Sequence, residues 1–229
     1  MSKAQVSLLS QDEIGAIHNA SLEVLEGTGI KVGSKKALDI LKGAGAKVDS
    51  GKKHVAIPRS LVEEALKRAP KTIRYCARNP KYDFVLNKRE PHFATDGGPS
   101  FITDWETGER RTSTGEDLAR WVRVADYLDN VHLIWPSVTV GDASVPMQGL
   151  AEVIIALRNT EKHIEDEASS AREAQYEIEI AAAIVGGREE LRRRPIISAV
   201  QCPISPLTFE EGSIEAVIEF ARAGIPVVP

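Results

Sequence analysis

Three consecutive acidic residues, Glu165, Asp166 and Glu167, end a short run that reads as a strand and are the part of the sequence best suited to chemistry. Strands buried in a parallel sheet normally consist of continuous apolar residues, so acids at this position need an explanation. Trp135 ends the preceding run of this kind, and an indole face attracts a cation by ~0.5–2 kcal/mol. Carboxylates beside an indole would suit a small organic cation. The structural alternative is that the acids are solvated and favour the positive end of the following helix.

Other small or polar residues also follow strand-like runs, where parallel α/β folds place their active sites. The further candidates for substrate binding are Asp96, Gly97, Gln201 and Ser205. Cys202 is not expected to be a nucleophile, because no histidine is near it in the sequence and free cysteines are most often buried. The five histidines do not pair at ligand spacing, so the sequence predicts no metal site. No residue is assigned a catalytic role.

Helix starts are marked five times by a Ser or Thr followed three residues later by an acid, the capping-box pattern. The five pairs are Ser10/Glu13, Ser60/Glu63, Thr114/Asp117, Ser170/Glu173 and Thr208/Glu211. Apolar residues recur behind them at helical spacing, as in the first stripe of Ile14, Ile17, Val24 and Leu25. Gly27, Gly186 and Gly224 stand where helices are expected to end.

Strands are predicted at 131–140, 162–167, 195–201 and 225–228, with a helix in each interval. Their starts are about thirty residues apart, the spacing of repeated βαβ units that form a parallel sheet. We find no GxGxxG after any strand, which argues against a nucleotide-binding open sheet. The pattern therefore favours an α/β protein with the first half of a (β/α)8 TIM barrel, over residues 91–229.

Residues 1–90 have a different pattern, with predicted helices at 11–27, 35–43 and 59–69. Short strands at 72–77, 82–86, 92–95 and 100–104 are interpreted as antiparallel ribbons that lead into the barrel. A closed barrel needs eight units and typically ~250 residues, so the sequence is interpreted as a fragment of a longer protein or a truncated gene product. A half-barrel completed by a second copy is the alternative.

The net charge of −4 gives no electrostatic reason to expect nucleic acid or an anionic membrane as a partner. The basic run at 188–194 is interpreted as a solvated loop. Two distant cysteines and no signal-peptide pattern in the first ten residues predict a cytoplasmic protein without disulfides.

The stretch from Thr103 to Arg111, with its Glu-Thr-Gly-Glu-Arg-Arg core, resembles the trimethylamine methyltransferase family. The opening helix around His18 and the Ser-Pro-Leu loop at Ser205 are similar to segments of the same family. The order and spacing of these motifs, spread over nearly the whole chain, carry the resemblance.

The resemblance implies a TIM barrel that transfers a methyl group from a methylated amine, such as trimethylamine or glycine betaine, to a corrinoid. That cobalamin-type cofactor would be carried by a partner corrinoid protein in its Co(I) state and not held tightly by this chain. A quaternary ammonium group forms no ordinary hydrogen bond, so its site needs carboxylate charge and aromatic faces. We therefore expect Glu165, Glu167 and Trp135 to contribute, in a protein that forms homo-oligomers.

Two other functions stay open from the sequence. A barrel lyase or isomerase would predict a Schiff-base lysine at a strand end, and no lysine ends a visible strand. A non-catalytic betaine-binding protein, or a truncated barrel without activity, would bind the amine without transferring its methyl group.

Overall fold

The structure, a computed structural model, describes residues 8–87 and 90–228. In chain order the helices are α1 (Gln11–Glu23), α2 (Lys35–Gly43), α3 (Arg59–Arg68), α4 (Gly115–Tyr127), α5 (Gln148–Asn159), α6 (Ala171–Val185), α7 (Arg188–Arg193) and α8 (Glu211–Ala223). The strands are β1 (Ile30–Val32), β2 (Lys47–Asp49), β3 (His54–Ala56), β4 (Ile73–Tyr75), β5 (Phe84–Leu86), β6 (Phe93–Ala94), β7 (Phe101–Thr103), β8 (Arg110–Thr112), β9 (Val131–Ile134), β10 (His163–Asp166), β11 (Ile197–Val200), β12 (Thr208–Phe209) and β13 (Val227–Val228). The prediction that the first ten residues carry no signal peptide falls mostly on residues 1–7, which lie outside the described residues, as does residue 229.

The chain divides after Ala69 into two compact units, and the segment Pro203–Glu210 belongs to the first of them. The β4–β5 hairpin belongs to the second unit, although it precedes residue 90, where the sequence analysis placed a boundary. The division into domains 1–90 and 91–229 stays a prediction.

The first unit combines α1, α2 and α3 with a small sheet of strand order β12-β1-β3-β2. Ser10 and Glu13 cap α1 reciprocally, as predicted. The predicted apolar stripe of α1 is largely not buried, since Ile14 and Ile17 are about half exposed and Leu22 is the buried side chain of the helix. Gly29, with φ of 73°, ends the helical segment in place of Gly27, because the helix continues as a π-helical turn over Val24–Thr28.

The second unit is built on five parallel strands in the order β13-β11-β10-β9-β6. Helices connect them, so the predicted alternation of strands and helices in an α/β protein is confirmed. β6 pairs with β9 in parallel, and its prediction as part of an antiparallel ribbon was therefore wrong. The strands are also shorter than predicted, the longest having four residues.

The register of the three central strands places three isoleucines side by side. Ile164 of β10 is paired with Ile134 of β9 and with Ile197 of β11. All three are at most 3% exposed and pack in one core with side chains of α4, α5, α6 and α8. We call this side of the sheet the helical face and the opposite side the inner face. Side chains alternate between the two faces along each strand.

The inner face is covered near the start of the strands by the β4–β5 hairpin. Tyr75 and Phe84 of the hairpin pack in a small core with Leu133 of β9. The ring of Tyr75 also stands edge-on to His163 of β10, with centroids 4.8 Å apart. His163 is fully buried, its Nδ1 lies 2.7 Å from the carbonyl oxygen of Cys76, and burial lowers its pKa to about 4.

Arg194 connects the hairpin to the segment that enters β11. Its guanidinium donates to both carboxylate oxygens of Asp83, at 2.8 and 2.9 Å, and to the carbonyl of Ala77. The preceding residues form α7, in which Leu191 is buried. The interpretation of 188–194 as a solvated loop was therefore wrong. The run contains one buried apolar side chain, Leu191, and three arginines that pair with acids: Arg188, Arg193 and Arg194.

Two of the five predicted capping boxes are confirmed in full, those at Ser10 and Thr114. Ser170 caps α6, but Glu173 reaches back to Ser169 instead of to the cap residue. The boxes at Ser60 and Thr208 were wrong. Helix α3 already begins after Pro58, and Thr208 is a strand residue of β12. No described helix is long and apolar enough to span a membrane.

Lys162, just before β10, is a buried cation that caps a helix. It is 2% exposed, and its Nζ donates to the carbonyls of Ala125 and Leu128 at the end of α4, at 3.0 and 2.8 Å. Carbonyls at a helix end lack partners within the helix, and a cation there also interacts favourably with the helix dipole. Burial lowers the pKa of Lys162.

A pair of buried acids, Asp166 of β10 and Glu177 of α6, lies behind the sheet on its helical face. Both are almost fully buried, and Asp166 raises the pKa of Glu177. One oxygen of each has no protein partner. Burial raises the pKa of both, and the neighbouring Glu152 and Glu173 raise them further.

Replacing Lys162 with Met should lower the free energy of unfolding by roughly 2–3 kcal/mol, because two helix-end carbonyls lose a charged donor in a buried site. Arg158→Met, at an exposed cation near the end of α5, is the matched control and should change it by less than about 0.5 kcal/mol. Urea denaturation of both variants measures the difference. Equal stability of the two would contradict the capping role.

Replacing Glu177 with Gln should reduce the pH dependence of stability above pH 5. The folded protein retains a proton that the unfolded chain releases near pH 4, so the stabilisation is complete below that pH and is lost as pH rises through the raised pKa of the pair. The slope, up to about 1.4 kcal/mol per pH unit for one proton, should fall in Glu177→Gln and stay unchanged in Glu189→Gln, at an exposed residue of α7. Urea denaturation from pH 5 to 9 tests this, and an unaltered slope in Glu177→Gln would refute it.

Candidate functional site

The carboxyl ends of the parallel strands lie along one edge of the sheet and bring most of the predicted site residues together. Asp96 and Gly97 follow β6, Trp135 follows β9, and Glu165 and Glu167 lie in and just after β10. Gln201 follows β11. These residues all belong to the second compact unit, and we call this edge the strand-end edge.

Trp135 is held between β9 and the loop after β6. Its backbone NH donates to Oγ1 of Thr95 at 2.7 Å, and the same hydroxyl donates to the carbonyl oxygen of Trp135 at 2.6 Å. The indole lies directly against Gly97, where an added Cβ would stand 2.6 Å from Nε1 and Cε2 of the ring. Only glycine can occupy position 97 without displacing the indole, so Gly97 fixes the ring by its lack of a side chain.

Asp96 is exposed beside this contact and accepts the backbone NH of Gly97 at 2.9 Å. One of its oxygens is therefore used to hold the loop, and the other is available to solvent or a ligand. Asp96 and Gly97 both shape the loop on which the indole rests, and their role in substrate binding stays a prediction.

Glu165 lies on the inner face, because its neighbours Ile164 and Asp166 point to the helical face. The side chain is partly buried and accepts the hydroxyl of Ser198 at 2.9 Å. Burial raises the pKa of Glu165, whereas the hydrogen bond from Ser198 lowers it. Burial, followed by the negative charge of Glu165, raises the pKa of Tyr75 of the hairpin to about 12.

Glu167 and Cys202 meet beyond the ends of β10 and β11, where both are exposed. Oε1 of Glu167 accepts the backbone NH of Cys202 at 3.3 Å. Burial, followed by the carboxylate of Glu167, raises the pKa of the Cys202 thiol. The thiol is therefore held protonated, which is the opposite of what activates a cysteine nucleophile.

Gln201 is buried and turned towards α8. In the amide orientation that satisfies both of its polar atoms, nitrogen donates to the carbonyl of Ser213 at 2.9 Å and oxygen accepts the hydroxyl of Ser213 at 3.2 Å. The amide thus connects β11 to a helix. Asp166, the middle acid of the run, is likewise on the helical face. The structure thereby separates the three acids, with Glu165 facing inwards and Glu167 facing solvent.

Ser205 lies in the other compact unit, in the segment Pro203–Glu210 that carries β12. Backbone hydrogen bonds between Ile204 and Thr208, at 2.8 and 2.9 Å, close a tight loop around it. Its predicted role in substrate binding stays a prediction.

Ser198 and Tyr75 are the residues of this site that the sequence analysis did not single out. A serine within the apolar segment Ile197–Val200 is a signal that could have been noticed, since buried strands rarely accept an unpartnered hydroxyl. Tyr75 gave no such signal, because it reaches Glu165 from a hairpin far earlier in the chain. Among the described residues, no group of three or more His, Cys, Asp or Glu side chains is arranged to hold a metal ion.

The strand-end edge therefore combines an immobilised indole, one partly buried carboxylate (Glu165) and two exposed carboxylates (Asp96 and Glu167). A carboxylate beside an aromatic face is an arrangement that binds alkylammonium groups. The carboxylate attracts the positive charge, and the negative face of the ring attracts it as well, so no hydrogen bond is needed. The protonated thiol and the Ser198 hydroxyl add no group able to attack carbon. The arrangement is suited to binding and orienting a small cation.

Comparison with known proteins identifies the family of the chain. The family model described as trimethylamine methyltransferase (MTTB) matches residues 2–229. The chain is similar to the trimethylamine methyltransferase MttB of Desulfitobacterium hafniense, at 41% identity over 95% of this chain and 44% of that protein. It is 31% identical to the MttB of Methanosarcina barkeri, over 97% of this chain and 46% of that protein.

A third relative is the glycine betaine methyltransferase of Desulfitobacterium hafniense strain Y51, 27% identical over 97% of this chain and 46% of the relative. The chain thus spans somewhat less than half the length of each of these three relatives. With a family model that matches it almost from end to end, the chain belongs to the trimethylamine methyltransferase family.

Proposed function

We propose that this chain forms the first half of a (β/α)8 barrel that binds a small methylated amine at the strand-end edge and directs one methyl group to a Co(I) corrinoid on a partner protein. The observation that supports it best is the indole of Trp135, fixed against Gly97 on the same edge as Glu165 and Glu167. The names of the relatives, trimethylamine methyltransferase and glycine betaine methyltransferase, support the substrate class.

The residues of this chain would bind and orient the amine. Glu165 offers a carboxylate to the cationic nitrogen from the inner face, and Trp135 offers an aromatic face to the methyl groups. Carboxylates in direct contact with the nitrogen would stabilise the cationic ground state more than a transition state in which that charge is being lost. A partly buried acid held by a neighbouring strand, and not free to collapse onto the ligand, fits this requirement.

The corrinoid would supply the cobalt nucleophile that accepts the methyl group, while the amine leaves with the electron pair of the broken carbon–nitrogen bond. A cofactor carried by another protein needs an open approach to the site. Asp96, Glu167 and Cys202 are all exposed at the strand-end edge, which fits delivery from outside. Orientation of one methyl group towards that opening, with water excluded, is the contribution expected from this chain.

The proposal is tested with protein from the complete open reading frame, mixed with Co(I) cobalamin and one of trimethylamine, glycine betaine, carnitine or proline betaine. Loss of the Co(I) absorbance with at least one of them is expected. Calorimetry on the same mixtures without cobalamin separates binding from transfer. Binding without loss of Co(I) would identify a betaine-binding protein instead, and neither signal would refute the proposal. Light scattering measures whether the protein is a homo-oligomer.

Replacing Glu165 with Gln should raise the dissociation constant for the amine by on the order of tenfold or more, since a partly buried charge opposite a cation is removed. Titration calorimetry measures the change. Glu189→Gln, at an exposed residue of α7, is the control and should bind as the unsubstituted protein does. Unchanged binding in Glu165→Gln would show that this acid does not face the substrate.

Replacing Gly97 with Ala should raise the KM for the amine by roughly 2- to 30-fold, the equivalent of a cation–π contact of ~0.5–2 kcal/mol. The new methyl group cannot share space with the indole of Trp135, so the ring must move. Gly15→Ala, where a Cβ meets nothing within 4 Å, should leave KM unchanged. Initial rates over a range of amine concentrations give the answer, and equal KM values in the two variants would rule out a role for the ring.

A further inference from the structure

Ser198 is a polar residue in the middle of an otherwise apolar strand. It is 2% exposed and lies between Ile197 and Ala199, which pack in the core on the helical face. Its own side chain therefore points to the inner face. A buried hydroxyl without a partner is destabilising, so a serine at this position needs a hydrogen-bond partner on that face.

The partner is determined by the register of the sheet. Ser198 of β11 is the direct neighbour of Glu165 of β10 across the parallel pair, so the two side chains lie side by side on the inner face. The hydroxyl donates to Oε2 of Glu165 at 2.9 Å. The other carboxylate oxygen, Oε1, receives no described hydrogen bond from the protein.

We propose that Ser198 is a positioning residue for the amine site, one that holds the Glu165 carboxylate in a fixed and charged form with one oxygen free to face the ammonium group. The inference rests on the proposed function, and it adds a residue that acts through Glu165 without touching the substrate. A hydroxyl can support an adjacent carboxylate because it donates to the charged form, and hydrogen bonds to charged groups are stronger than neutral ones.

The titratable groups near Glu165 offer no substitute for this donor. Tyr75 of the hairpin lies on the same side and keeps its proton, but the described hydrogen bond to the Glu165 carboxylate comes from Ser198 and not from this phenol. His163, two residues earlier on the same face, directs Nδ1 to the carbonyl of Cys76 and is neutral at pH 7. Glu167, two residues later, is itself an acid. Burial raises the pKa of Glu165, and the bond from Ser198 is the effect that opposes it.

The test compares Ser198→Ala, which removes the hydroxyl, with Ser198→Thr, which retains it, in protein from the complete open reading frame. Calorimetry with tetramethylammonium as the probe, from pH 5 to 9, gives the dissociation constant as a function of pH. In Ser198→Ala the acid limb of binding should move to higher pH by about one unit, because Glu165 keeps its proton longer. Affinity at the acid end should fall about tenfold, whereas Ser198→Thr should follow the unsubstituted protein.

A purely structural serine would behave differently, lowering the melting temperature or weakening binding equally at every pH. An acid limb that does not move in Ser198→Ala, or that moves as much in Ser198→Thr, would overturn the inference. Glu165→Gln separates this result from the proposed function. If that variant binds tetramethylammonium normally, the acid does not serve the site at all; if it fails to bind while the limb of Ser198→Ala stays in place, the acid serves the site without the serine.

Discussion

The second unit depends on the burial of one row of isoleucines beneath its helices. Ile134, Ile164 and Ile197 meet side by side and exclude water together, which fixes the register of β9, β10 and β11. Because side chains alternate along a strand, the next positions, Trp135, Glu165 and Ser198, are directed to the opposite face. A slip of one residue would exchange the two rows and bury the carboxylate among the helices. The apolar core thus determines the location of the polar site.

The same alternation explains why three neighbouring acids have three different environments. Glu165 faces inwards beside a serine, Asp166 is buried with Glu177 behind the sheet, and Glu167 extends into solvent. From the sequence alone, three consecutive acids do not reveal which of them faces inwards, which is buried and which is solvated. In the folded chain the division follows from geometry alone, and it leaves a single partly buried carboxylate facing the inner side near Trp135.

The sequence predicted the helices and strands better than it predicted which segments pack against them. The strand–helix alternation and the caps at Ser10 and Thr114 depend on local pattern, which a sequence contains in full. The errors at β6, at the 188–194 run and in the stripe of α1 all concern which distant segment covers a surface. The shared location of Asp96, Trp135, Glu165 and Glu167 was predictable because parallel strands end at one edge of a sheet. Ser198 and Tyr75 were missed since their roles depend on sheet register and on a hairpin brought from elsewhere.

That hairpin has a consequence for the order in which the protein is made. Residues of β4 and β5 leave the ribosome before any of the strands they cover, and the bond from His163 to Cys76 joins residues 87 positions apart. Arg194 reaches Asp83 across 111 positions. Until those later segments emerge, Tyr75 and Phe84 have each other and Ile73 as apolar neighbours but lack Leu133. Contacts between residues so far apart in sequence slow folding and prolong the exposure of apolar surface. We therefore expect nascent chains of this protein to depend on chaperones during synthesis.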